Sequence, residues 1–167
     1  SEMCIRDRAF EVALRFDGPA QDALRGAKVL AQCAGASGMV GGQCIDLDSQ
    51  GKTADLDLLW KMDQGKTVAL ISAACQMGCI AAGAGEKALE NARRYAEGVG
   101  MAFQIRDDML DVIGDAAAFG KPIGSDASNE KSTYVSILGL EECERRVLDY
   151  TEKAKAALKA VTWPGGT

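Results

Sequence analysis

The sequence predicts an all-α protein, and three observations carry that prediction. Apolar residues recur at helical spacing along nearly the whole chain, whereas the alternation that marks strands is almost absent. Ala and Gly are abundant between Leu, Val, Ile and Met, and aromatic residues make up only 5% of the chain. That balance suits closely packed helices better than sheets. At 167 residues, 47% hydrophobic and 26% charged, the chain has the size of one domain and the composition of an ordinary globular protein.

The elements follow in order. The opening string MCIRDR resembles the translation of a transposase adapter used in sequencing-library preparation, so residues 1–8 are expected to be non-native and the protein to extend further upstream, with a native N-terminus of odd charge pattern as the alternative. A first convincing helix covers 20–34, in the stretch that begins at Pro19. A second is expected from Ser37 to Asp48, with Gly38, Gly41 and Gly42 permitting close backbone approach. SQGK then makes a turn. A third helix starts at Asp55 or its neighbours and carries LDLLWKMDQGKTVALISAACQMGCIAA, with Gly65 as its weak point. The fourth runs for 28 residues, from Glu86 to Ile113. GDAAAFGKPIGSDASNEKSTY is the one extended loop, and long ordered loops in compact domains are more often functional than idle. A short helix follows at Tyr134–Leu138, and Glu141 to Val161 reads as an exposed amphipathic helix with Glu–Arg and Glu–Lys pairs. The terminal WPGGT is either a helix stop or a second broken edge.

Composition excludes several classes of function. A net charge of −5 argues against a surface for duplex nucleic acid, which needs a concentrated basic patch. VALISAACQMGCIAAGAG approaches the length of a membrane span, but Ser72, Gln76 and the glycines at 78, 83 and 85 interrupt it, so a buried helix is expected and no membrane span. There are six cysteines and no histidine. Cys75 and Cys79 share a helix face in an apolar context with nothing to complete a zinc site, and they read as small core residues. Unpaired thiols point to a reducing compartment, hence the cytoplasm.

The chemistry concentrates in AFQIRDDMLDVIGD. On the fourth helix, about 100° per residue places Gln104, Asp107, Asp108 and Asp111 within one sector, while Phe103, Ile105, Met109, Leu110 and Ile113 fill the rest of the circumference. Like charges at such spacings repel by ~0.2–0.5 kcal/mol per pair, so either water or a cation must cover them. Two readings stand: a solvated acidic face, or an acidic wall of a cavity holding a divalent cation. The apolar surroundings make the helix look buried. Lys66, Lys121 and Lys131, set among Gly, Ser and Thr in GKT, FGKPIG and EKSTY, suit phosphate bridged to magnesium, which takes only one or two carboxylates beside water and phosphate oxygens.

These motifs together resemble a known family. FQIRDDMLD resembles the second aspartate-rich motif, DDxxD, of the trans-isoprenyl diphosphate synthases, which make farnesyl and geranylgeranyl diphosphates. GGQCIDL is similar to the family's GQxxDL helix, QGKTVALI to its KTxxL segment, and FGKPIGSDASNEKSTY to its glycine-lysine and GxDxxxxKS/TY loop. The four occur in the family's order between about residues 27 and 158, and the likeness is strongest to the C-terminal half of bacterial members.

The resemblance implies part of a large antiparallel helix bundle around a central cavity, with the N-terminal half missing. Residues 9–167 would be the C-terminal part of a single domain. It implies a prenyltransferase in which an allylic diphosphate ionises with magnesium assistance and isopentenyl diphosphate attacks the cation through its double bond. Asp107 would ligate a magnesium ion, Asp108 and Asp111 would orient its waters or add ligands, and Asp126 would help from behind. Lys66 and Lys121 would contact diphosphate, with Lys131 nearby. Thr67 and Gln104 would hydrogen-bond around the departing group, while Gln43 and Asp46 would line the same cavity, Asp46 pairing with Lys66. A homodimer is implied for the whole protein.

The family's first DDxxD has no counterpart here; Asp55, Asp57 and Asp63 lie too far downstream and are wrongly spaced. The chain is therefore expected to be inactive alone and, as half a bundle, to expose apolar inner faces. A noncatalytic subunit that lost the first motif, a terpene cyclase on the same scaffold, or an acidic helical interaction module unrelated to phosphate are the alternatives; the intact DDMLD and KT disfavour the cyclase.

Overall fold

In a computed structural model, residues 2–113 and 132–161 are described, with side chains from residue 5 onward. Among them every regular element is helical: α1 (Glu2–Leu14), α2 (Ala20–Ala34), α3 (Met39–Asp48), α4 (Leu56–Asp63), a π turn (Gln64–Val68), α5 (Ala69–Ala81), α6 (Glu86–Ile113), α7 (Tyr134–Leu138) and α8 (Leu140–Lys159). No helix among the described residues is long and apolar enough to cross a membrane.

Local chemistry sets several boundaries. The Asp55 carboxylate accepts from the Leu58 N–H at 2.8 Å and caps α4. Gly83 takes φ 68° just beyond α5, a left-handed conformation that costs glycine little. Thr133 and Ser136 form a reciprocal capping box at the start of α7, and Gly139 at φ 78° turns the chain from α7 into α8.

α6 is the axis of the structure. It packs against α8, α5, the π turn and α7. Met101, Ile105 and Met109 recur at every fourth position of α6 and are wholly buried, each burial stabilising by about 1.5–3 kcal/mol. They form one core with Leu59, Met62, Val68, Tyr134 and Cys143. A second cluster, Cys79, Ile80, Ala84, Leu89 and Ala92, holds the α5–α6 hairpin. The α6–α8 contact is backbone-close: a Cβ on Gly98 would lie 2.6 Å from the Tyr150 carbonyl oxygen and 2.8 Å from the Ala154 Cβ.

Five sequence expectations are revised. The third helix runs on from Leu56 to Ala81 but is not α-helical throughout, because Gln64–Val68, around Gly65, are wound as a π turn. The second begins at Met39 rather than Ser37, and the last spans Leu140–Lys159. Helix α1 was not expected; it is braced by the Glu11 carboxylate, which pairs with Arg8 at 2.5 Å and Arg15 at 2.6 Å. Finally, α6 is not buried all round, since Phe103, Val112 and Ile113 are exposed. With Leu24 and Leu148 also open to solvent, exposed apolar residues occur on several helices.

Candidate active site

The site begins with two glycines. A Cβ on Gly42 of α3 would come within 2.2 Å of the Lys66 backbone nitrogen, and one on Gly65 within 2.9 Å of the Gly42 Cα. Only bare backbone fits there, so α3 and the π turn touch main chain to main chain. One turn along α3 from Gly42, Asp46 is thereby brought against Lys66: Nζ to Oδ2 is 2.5 Å. The Asp46 side chain is almost fully buried, and a buried carboxylate needs such a partner. Lys66 remains 34% exposed and carries three N–H donors, so it can hold Asp46 and still present charge to an anion. The pairing expected from the sequence is present.

The next residue continues the cluster. The Thr67 hydroxyl donates to Gln104 Oε1 at 3.2 Å, and Gln104 Nε2 donates to Asp108 Oδ1 at 3.3 Å. The other oxygen of Asp108 accepts the buried N–H of Tyr134 at 2.8 Å, the first residue of α7. Asp108 is 8% exposed, whereas Asp107 and Asp111 are half-buried on the same helix. The acidic face is thus divided. Asp108 is turned inward to hold α7, while Asp107 and Asp111 stay partly open to solvent. Gln43 lies half-buried on α3, one turn before Leu47. Lys121, Asp126 and Lys131 lie outside the described residues.

Two residues of this neighbourhood were not assigned a role from the sequence. Asp63, the last residue of α4, is 2% exposed, and Tyr134 is equally buried with its hydroxyl facing Asp63. That hydroxyl closes no hydrogen bond of standard geometry. Burial first, and then the nearby Asp63 charge, push its pKa well above the usual phenol range. A signal for Asp63 was present: Leu59, Met62 and Asp63 fall on one face of α4, so an acid stands where the helical pattern asks for an apolar residue. Burial likewise pushes the thiols of Cys33, Cys75, Cys79 and Cys143 up, and the charge of Asp108 adds to the effect at Cys143.

Among the described residues no three thiols or carboxylates gather tightly enough to cage a metal. Magnesium does not require that: one or two carboxylates suffice when water and phosphate oxygens complete the octahedron. Asp107 and Asp111, one turn apart on α6, fit that donor set. A cavity of about 660 Å³ lies elsewhere, between α1, α2 and α5, and none of its lining residues belongs to the acidic face.

Fold and site together define a class: an all-helical bundle in which an acidic helix, a lysine-bearing turn and a glutamine-aspartate helix meet in one place. A sequence model of the polyprenyl synthetase family matches residues 4–162, and the chain belongs to that family. It is 46% identical over 131 residues to farnesyl diphosphate synthase of Escherichia coli, covering 78% of this chain and 44% of that protein. It is 45% identical over 132 residues to geranylgeranyl diphosphate synthase of Cyanophora paradoxa, covering 77% and 44%. Among solved structures, geranyltransferase of Helicobacter pylori complexed with magnesium and isoprenyl diphosphate superposes with a TM-score of 0.79 at 27% identity, over 90% of this chain and 50% of that one. An FPP/GFPP synthase of Zymomonas mobilis gives 0.76 at 30%, over 92% and 51%. The chain spans about half the length of the curated relatives it matches.

Proposed function

We propose that this chain is the C-terminal part of a prenyltransferase that joins an allylic diphosphate to isopentenyl diphosphate, with magnesium as cofactor. The observation that carries this reading is the meeting of three separated motifs: Asp46 from GGQCIDL, Lys66 and Thr67 from QGKTVALI, and Gln104 and Asp108 from FQIRDDMLD. Magnesium, when bound, supplies the positive charge that stabilises a departing diphosphate.

The chain's own residues have distinct tasks on this reading. Asp107 and Asp111 hold the ion from one side, and Asp108 keeps the acidic helix in place. Lys66, oriented by Asp46, offers its remaining N–H donors to the diphosphate as a point charge. Thr67 and Gln104 fix each other beside the departing group. Lys121 and Lys131 add charge to the diphosphate, and Asp126 supports the metal waters. Gln43 lines the same wall. The whole protein is proposed to be a homodimer in a reducing, cytoplasmic setting, with residues 9–167 belonging to one domain.

The test is an assay with labelled isopentenyl diphosphate, an allylic diphosphate and magnesium. The full-length protein should yield a longer prenyl diphosphate, and Lys66→Ala in it should lose most of that turnover. This chain alone should give no product above background. Turnover by the chain alone, or an inert full-length protein, would overturn the reading.

A further inference from the structure

Away from the acidic face, residues 91–98 of α6 and 150–160 of α8 line a cavity of about 450 Å³. Its chemistry is graded with burial. Asn91 is only 7% exposed, and its carboxamide makes no hydrogen bond among the described residues. That condition is uncommon, because a buried donor and acceptor left unpaired forfeit their hydration with nothing in return. Arg94, Glu97 and Lys153, by contrast, are exposed and mark the mouth. Arg94 pairs with Glu90 at 3.2 Å and Lys153 with Asp149 at 2.7 Å; exposed pairs of this kind are weak and exchange readily for another anion. Gly98, Ala156, Ala157 and Ala160 give the remaining wall little bulk, beside the Tyr150 ring.

We propose that this cavity is a binding site for an adenine nucleotide. A carboxamide sets a donor and an acceptor side by side, the pattern that forms two hydrogen bonds with N7 and the N6 amino group of adenine. The small-residue wall takes the flat faces of the base, Glu97 accepts from ribose hydroxyls, and Arg94 and Lys153 take the phosphate. Water would satisfy Asn91 alone, but a nucleotide gives every amide and charged side chain of the lining a counterpart. The volume falls within that of small-ligand cavities. The site is independent of the prenyltransfer reading, since none of its residues belongs to the acidic face or the Lys66 turn.

The experiment titrates adenosine monophosphate into the full-length protein by calorimetry, with magnesium and inorganic diphosphate present to occupy the other anion site. Saturable one-to-one binding is expected. Inosine monophosphate, which puts an acceptor where adenine has its amino group, should bind roughly 5–150-fold more weakly. Asn91→Leu should lose binding by a similar factor while its urea midpoint holds or rises, because no hydrogen bond is removed; a fall in the midpoint marks a structural asparagine and counts against the site. Lys153→Ala, at an exposed position that leaves the core untouched, should weaken adenosine monophosphate by about 3-fold and leave adenosine unchanged. No saturation by about 1 mM, equal affinity for the inosine nucleotide or for ribose 5-phosphate, or either variant binding as the parent does, overturns the proposal. Prenyl transfer is assayed separately, and its presence or absence leaves these outcomes as they are.

Discussion

Replacing Gly42 by alanine would insert one methyl group where none fits. Its Cβ would stand 2.2 Å from the Lys66 backbone nitrogen and 2.7 Å from both the Gly65 carbonyl carbon and the Met62 oxygen, all main-chain atoms that cannot rotate away. To move from 2.2 Å to the 3.4 Å where ordinary contact begins, α3 and the π turn must open by about 1.2 Å. Overpacking of this kind costs about 1–3 kcal/mol. The same opening stretches the Asp46–Lys66 pair, now at 2.5 Å. Severing a fully buried pair costs about 3–5 kcal/mol, but Lys66 is one-third exposed and only a fraction applies, for a total of about 2–4 kcal/mol. With a urea m-value of about 2 kcal/mol/M, the unfolding midpoint should fall by about 1–2 M, read by circular dichroism. Gly78→Ala is the control. The same methyl on α5 meets nothing within 4 Å and should stabilise by about 0.5–1 kcal/mol. If Gly42→Ala leaves the midpoint where Gly78→Ala does, the main-chain contact does not organise the site.

The remaining predictions use the same chain. Asp108→Ala should destabilise by about 1–3 kcal/mol, since it strands the buried Tyr134 N–H, whereas Asp107→Ala should stay within about 0.5 kcal/mol; equal midpoints for the two in denaturant would contradict the division of the acidic face. With an alkylating reagent, exposed Cys44 should react first and Cys33, Cys75, Cys79 and Cys143 should lag, as mass spectrometry of partial reactions can show. Because burial raises these thiols in the fold, the unfolded chain releases their protons first. Their contribution is therefore intact below about pH 8.5 and fades as pH climbs past that value; stability that rises from pH 8 to 10 would refute the sign. Exposed Phe103, Val112, Ile113, Leu24 and Leu148 should make the isolated chain associate with increasing concentration in sedimentation, and a strictly monomeric chain would contradict this.

What could be read before any coordinates was what periodicity and spacing encode. α6 was legible because 28 residues of helical pattern leave no competing interpretation, and the Asp46–Lys66 pairing was implied by the family resemblance, whereas the direct Thr67–Gln104 hydrogen bond was not foreseen. The π turn was only hinted at by Gly65, since what lies against it, the α3 backbone 2.9 Å from where a Cβ would be, is a tertiary fact. A helical wheel groups Asp107, Asp108 and Asp111 in one sector, yet cannot tell that the middle one faces the N–H of a residue 26 positions away. Tyr134 was quoted within EKSTY but its phenol could not be aimed without α4 in place. Helix α1 carries little amphipathic pattern, and its i,i+3 and i,i+4 charge pairs went unread because residues 1–8 were set aside as foreign.

The π turn has an evolutionary and practical corollary. Such a widened turn is what remains when one residue is inserted into a finished α-helix. Removing a single codon between Gln64 and Val68 would let Leu56 to Ala81 wind as one unbroken rod with its hydrogen-bond ladder intact. The flanking helices would keep their phase, because the bulge already absorbs the extra residue, and the change would be confined to the turn that carries Lys66 and Thr67. A one-codon deletion there is thus a local probe of this site that leaves its scaffold helical.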